Sequence, residues 1–208
     1  MGDDDYALDR AYEIDGPDEA KALYRDWAAT YDSSFGEGWG YIAPREIARI
    51  YQSMTGENEP ILDIGAGTGL VAEHLDGQVV DGLDITPEML DIAAEKKIYR
   101  QTITADLLKT LPLDDGTYGG VISSGTFTHG HVGPTCLPEL LRVTRSGALF
   151  VCGCIPTVFD KAGFGSYLAL LNAQNAIGDL SFRDISIYEG KDHPHAQDRG
   201  LVMIFRKR

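Results

Sequence analysis

The ten residues ILDIGAGTGL, Ile61 to Leu70, constrain the fold of this chain more than any other stretch. Pro60 to Ile64 is a short apolar run of the kind that forms a strand buried on both faces. A carboxylate, Asp63, interrupts it, and Gly65, Gly67 and Gly69 follow at once. A glycine loop between a buried strand and a helix lets a ligand come close to the backbone. The flanking sequence has the same texture. VVDGLDI (79–85), Tyr99 to Thr104, Gly119 to Ser123 and Ala148 to Cys152 read as further strands. Helical spacing lies between them at Gly69 to Leu75, at PEMLDIAAEKK (87–97) and at Pro134 to Arg145. Such alternation predicts an α/β fold of three layers, a doubly wound parallel sheet between helices. After a helix at about Gly163 to Ile177, LSFRDISIYEG and RGLVMIFRKR read as strands joined without a helix. They predict an antiparallel C-terminal hairpin.

Upstream of the glycine loop, Ala20, Leu23, Tyr24, Trp27 and Tyr31 fall on one face of a helix predicted from Pro17 to Tyr31. A glycine-rich break, Gly36 to Gly40, separates it from a second helix near Pro44 to Met54. We therefore expect residues 1–56 to form a helical lid, part of the same domain as a ligand-binding core over 57–208. A length of 208 residues suits one domain. No apolar run approaches the roughly 18 residues of a spanning helix, and MGDDDYALDR is too acidic for a signal peptide. No membrane partner is expected. Thirty-two acids against eighteen bases give a net charge of −14, which argues against nucleic acid as a partner. Three cysteines, an odd number without a secretory signal, point to a reducing cytoplasm.

Two kinds of ligand sit on loops of this type. A dinucleotide would use Asp84 as its ribose acid, about twenty residues downstream. The spacing here is Gly65-x-Gly67-x-Gly69 rather than G-x-G-x-x-G, and Asp63 offers a pyrophosphate nothing. A further acid, Asp106, follows the third strand in TADLL. In these features the chain resembles the class I S-adenosylmethionine-dependent methyltransferases, over nearly its whole length. LDIGAGTGL, GLDIT, TADLLKTLPL and VISSGTFTHGH correspond to their successive motifs, and YRDWAATYD (24–32) to the entry segment of small-molecule members. The pattern VISSGTFTHGHVGP is most similar to the methyltransferase-like proteins named after the Williams–Beuren syndrome region.

The resemblance implies a Rossmann-like core that binds S-adenosylmethionine and releases S-adenosylhomocysteine. By position, Asp63 would hold the methionine ammonium, directly or through water. Gly65, Ala66 and Gly67 would line the methionine and ribose, and Asp84 would accept from both ribose hydroxyls. Ile85 and Met89 would pack on the adenine, with Asp106 and the Leu107 N–H at its edge. Asp84 and Asp106 as mere helix caps is the alternative. Ser124, Gly125 and Thr126, with Phe127, would form the wall beside the sulfonium. Trp27 and Tyr31 would close over the cofactor, where an aromatic face attracts a cation; a plain core stripe is the competing reading. His129 and His131 are the candidate catalytic bases, being the side chains that titrate near neutral pH. Two histidines without a third ligand argue against a metal. His193 and His195 fall in a loop expected to be solvated. The three cysteines read as small buried hydrophobes, and Phe164, Tyr167 and Asn172 as pocket or core. The expected activity is methyl transfer to O, N or S of a small molecule. A non-catalytic S-adenosylmethionine or S-adenosylhomocysteine binder and a nicotinamide oxidoreductase are the alternatives.

Overall fold

The structure, a computed structural model, describes residues 17–128, 132–190 and 192–208. Seven strands form one sheet: β1 (Ile61–Ile64), β2 (Val80–Asp84), β3 (Gln101–Thr104), β4 (Tyr118–Phe127), β5 (Thr144–Cys154), β6 (Ile177–Ser186) and β7 (Arg199–Lys207). Their order is β3-β2-β1-β4-β5-β7-β6. β1 to β5 pair in parallel, and β7 runs antiparallel to both β5 and β6. The chain winds outward from β1 to β3, then returns to place β4 on the other side of β1. That reversal opens a crevice at the carboxyl ends of β1 and β4, where ligands of open α/β sheets bind.

The helices are α1 (Pro17–Trp27), α2 (Ala43–Gln52), α3 (Pro87–Glu95), α4 (Leu137–Val143), α5 (Pro156–Lys161) and α6 (Phe164–Ala173). Strand alternation sends side chains to two cores. Leu62 and Ile64 join Leu140, Phe150, Phe164 and Phe205 on one face. Ile61 joins Ile47, Ile50 and Tyr51 of α2 on the other.

The elements differ from the sequence expectation in four places. The predicted helix over Gly69 to Leu75 is only a 3₁₀ turn, Ala72–His74. Gly77, at φ +80°, ends the segment before a second turn can form. The N-terminal helix stops at Trp27, and a π-helical segment, Asp32–Gly38, occupies the supposed glycine break. α5 was not anticipated, since six residues are too short to show a period. Finally, β4 spans Tyr118–Phe127, beyond the expected Gly119 to Ser123. Gly120 pairs with Ile61 and Leu149, and its missing Cβ leaves room for the Tyr51 hydroxyl. That hydroxyl donates to the Asn58 carbonyl at 2.6 Å, and the glycine thereby seats α2 flat on the sheet.

Candidate functional site

The crevice holds a cleft of about 1000 Å³, part of it open to solvent. The loop after β1 forms its floor. Gly65 and Gly67 have φ of +62° and +53°, a region that glycine adopts without strain. A Cβ on Gly65 would overlap the Thr126 hydroxyl, which donates to the Ile64 carbonyl at 2.7 Å and so ties the end of β4 to the end of β1. The cleft is therefore shaped by backbone approach.

Asp84 ends β2 and lines the cleft. Its Oδ2 accepts the Gly67 N–H and its Oδ1 the Thr86 N–H, each at 2.8 Å. The two bonds fix the carboxylate against the glycine loop while leaving lone pairs on both oxygens for a ligand. Burial raises its pKa, opposed by these backbone N–H groups. Asp106 also lines the cleft, and its Oδ1 accepts the Leu108 N–H at 2.9 Å. Its turn-forming role and its place in the lining thus coexist. Tyr31, Gly65, Ala66, Gly67, Ile85, Met89, Leu107, Ser124, Gly125 and Thr126 complete the expected set in this lining.

Two expected residues are placed elsewhere. Asp63 does not belong to the lining; it is buried behind the loop and accepts from the Tyr99 hydroxyl at 2.7 Å. Strand alternation turns positions 61 and 63 toward the α2 face, which sets Asp63 behind the loop. Trp27 lines an adjoining chamber instead, its Nε1 donating to Ser34 Oγ at 3.1 Å. Phe127 packs edge-on against Phe164 in the core, 5.1 Å between centroids. Phe164 is buried, Tyr167 packs on the same core, and Cys136, Cys152 and Cys154 are buried and free. His129 and His131 lie outside the described residues. His193 departs from the solvated turn expected, standing edge-on to Trp39 and Tyr188 at 4.8 Å each.

Burial pushes the Asp63 pKa up to about 7; the Tyr99 hydrogen bond opposes this and the Asp84 charge adds to it. The folded value lies above the unfolded one, near 3.9. The folded chain therefore holds an extra proton between about pH 4 and pH 7, and stability falls as pH rises through that window. Asp63→Asn is expected to remove this decline, so the variant gains on the parent between about pH 4.5 and 7.5 in urea unfolding. A difference that stays constant with pH would show an Asp63 that is ionised throughout.

Several cleft residues escaped the sequence reading. Tyr24 carried a signal, being on the same helical stripe as Tyr31, but Tyr41, Thr68 and Lys21 carried none. Among the described lining residues Lys21 is the one basic side chain. Asp32 was visible only as the last letter of YRDWAATYD. Its Oδ1 accepts from Thr68 Oγ1 at 2.5 Å, and its Oδ2 lies 2.6 Å from Lys96 Nζ, which also reaches Glu73 at 2.5 Å. This latch fastens the N-terminal segment to the glycine loop.

S-adenosylmethionine fits this set of donors. Asp84 matches a pair of vicinal hydroxyls, Ile85, Met89 and Leu107 match an adenine, and the glycines leave a backbone cradle that a Cβ would fill. When bound, that molecule supplies an electrophilic methyl on a positively charged sulfur.

Comparison with known proteins agrees. Residues 62–152 match the methyltransferase domain family model. Human methyltransferase-like protein 27 is 34% identical over 145 residues, covering 65% of this chain and 58% of that protein. The 18S rRNA (guanine-N(7))-methyltransferase of Bos taurus is 32% identical over 127 residues, covering 55% of this chain and 41% of that protein. The chain thus spans about half the length of these relatives. The CcbJ methyltransferase of Streptomyces caelestis shares the fold at a TM-score of 0.63 and 18% identity, over 88% of this chain and 97% of that one. Among the described residues no helix is long and apolar enough to cross a membrane. The glycine loop, the carboxylate at the end of β2 and β4 all fall within residues 62–152, the part of the chain that matches a methyltransferase domain.

Proposed function

We propose that this chain is an active methyltransferase that binds S-adenosylmethionine in the first cleft and methylates O, N or S of a small molecule. The observation that carries the reading is the Asp84 carboxylate, held on the cleft wall by two backbone N–H groups beside the glycine loop. Ser124 and Gly125 would border the reacting centre, because they belong to the linings of both the cleft and the adjoining chamber. Tyr31, Tyr24 and the Asp32 latch would hold the N-terminal segment, 1–56, over the site as a lid. Excluding water and aligning the partners supplies much of the acceleration in such reactions, up to about 7–11 kcal/mol. A base is therefore optional, and His129 and His131 keep that candidacy. Within the class we place the chain, on VISSGTFTHGHVGP, with the small-molecule proteins named after the Williams–Beuren syndrome region. A reducing cytoplasm suits its three free, buried cysteines.

A second reading rests on the relatives named as 18S rRNA methyltransferases. The net charge of −14 and a pI near 4.6 weigh against it, since phosphate contacts dominate affinity for nucleic acid. Titration calorimetry is expected to show binding of S-adenosylmethionine and no response to NAD. Formation of S-adenosylhomocysteine in a small-molecule extract, and none with ribosomal RNA, is the expected assay result. Turnover on RNA alone would transfer the assignment to the second reading, and silence in both would leave a non-catalytic binder.

A further inference from the structure

Beyond the cleft lies a second chamber of about 730 Å³, including space open to solvent. Tyr24, Tyr31, Tyr41, Ser124 and Gly125 line both, so the two adjoin at the end of β4. The boundary is set by the Tyr41 hydroxyl and Ser124 Oγ, 2.8 Å apart. From there the chamber runs past the end of β5, at Cys154, to Ile185 and Tyr188.

The composition of its walls is unusual for so acidic a chain. Among the described residues, sixteen line it, and none of these is Asp, Glu, Lys, Arg or His. Trp27 and four tyrosines supply rings, four isoleucines supply aliphatic surface, and the polar atoms are hydroxyls, a thiol and backbone groups. The rings are packed together: Trp27 and Tyr31 stand edge-to-face at 5.2 Å, and Tyr41 and Tyr188 are tilted at 5.8 Å. Burial raises the Tyr31 pKa well above its ordinary value and pushes the Tyr41 pKa up to about 12. These hydroxyls therefore stay protonated, and the described part of the wall stays uncharged at neutral pH.

Resting on the reading of the first cleft as a cofactor site, we propose that this chamber receives the methyl acceptor and selects an uncharged, ring-bearing small molecule. A carboxylate or phosphate entering it would give up water with no cation in the described lining to replace it. A cation would meet aromatic faces, which attract it, but would give up water with no carboxylate in the described lining to replace it. A neutral ring loses little water and gains stacking and apolar contact from the same walls.

The test uses the full-length protein saturated with S-adenosylhomocysteine and three probes on one ring: 6-methylquinoline, quinoline-6-carboxylate and N-methylquinolinium. Calorimetry is expected to show the neutral compound binding at least about tenfold more tightly than either charged one. A Thr128→Lys variant, which adds a cation to the chamber wall, is expected to narrow the gap for the carboxylate by about fivefold or more, through direct charge pairing. A charged probe that binds as well as the neutral one overturns the proposal. So does a neutral probe that fails to bind, or a carboxylate affinity that Thr128→Lys leaves unmoved. Failure of S-adenosylhomocysteine itself to bind would instead remove the reading of the first cleft.

Discussion

Asp84→Ala is expected to weaken S-adenosylhomocysteine binding by roughly a hundredfold or more, equivalent to about 2.7 kcal/mol. Two losses add. The ligand loses an ionised acceptor for its ribose hydroxyls, and hydrogen bonds to charged groups contribute about 1.5–3 kcal/mol each. The glycine loop also loses its tether, because the Gly67 N–H now donates to Asp84 Oδ2 at 2.8 Å. Asp84→Asn separates the two contributions only in part. A carboxylate accepts on both oxygens, whereas an amide must turn an NH₂ toward either the Gly67 or the Thr86 N–H. The Asn variant is therefore expected to fall close to the Ala variant despite its nearly identical size. Calorimetric titration, with thermal melts to verify that both variants fold, measures the effect. An Ala variant that binds within about threefold of the parent would remove the ribose assignment.

The largest stability effect is expected at the other end of the same strand. Asp81 is fully buried, and its Oδ2 accepts from Arg100 at 2.6 Å, from Gln101 at 2.8 Å and from Tyr118 at 2.8 Å. Its Oδ1 takes the Arg100 Nε–H at 2.9 Å. Burial acts to raise the pKa of Asp81, but the bonds from Arg100, Gln101 and Tyr118 outweigh it and hold the value below the usual carboxylate range. Asp81→Ala removes the acceptor of four hydrogen bonds; Arg100, whose side chain is 48% exposed, and Gln101 return to water, while the buried Tyr118 hydroxyl is left without an acceptor, at a cost of about 1–3 kcal/mol. Urea unfolding should show a loss of about 1–3 kcal/mol at neutral pH. Because the folded pKa is depressed, this contribution is present above the unfolded value near 3.9 and is lost as pH falls through the lower folded value. Parent and variant should therefore converge in acid. Cofactor affinity under native conditions should change little, since Asp81 lies three residues, roughly 10 Å, along β2 from Asp84. A variant of unchanged stability would mean that the network is relaxed in solution.

These two aspartates mark the limit of what the sequence discloses. In VVDGLDI the one at the end of the strand is legible, because a carboxylate after a buried strand and beyond a glycine loop matches a known division of labour. The other is the same residue three positions earlier, yet nothing local says that Arg100, Gln101 and Tyr118 converge on it from β3, its approach and β4. Asp63 was legible as important, but its burial and its Tyr99 partner were not. Its period-2 neighbours decide which face it takes, and Tyr99 claims it there. The wall of the second chamber was hardest to foresee, since Tyr41 and Tyr188 come from opposite ends of the chain and read alone as ordinary core residues.

The sequence by itself determined the layer architecture, the reversed final strand, the glycine loop and the carboxylate at the end of β2. Each is written in local periodicity or in backbone needs that only glycine meets. Tertiary structure alone decided that the described lining of the second chamber carries no charged side chain. It also decided that Asp32 joins the segment after α1 to Thr68 and Lys96, and that His193 stands among aromatic rings. Such features depend on which side chains meet across large separations in sequence. A neighbour's charge or its absence, unlike a strand period or a left-handed turn, leaves no trace in the residues beside it.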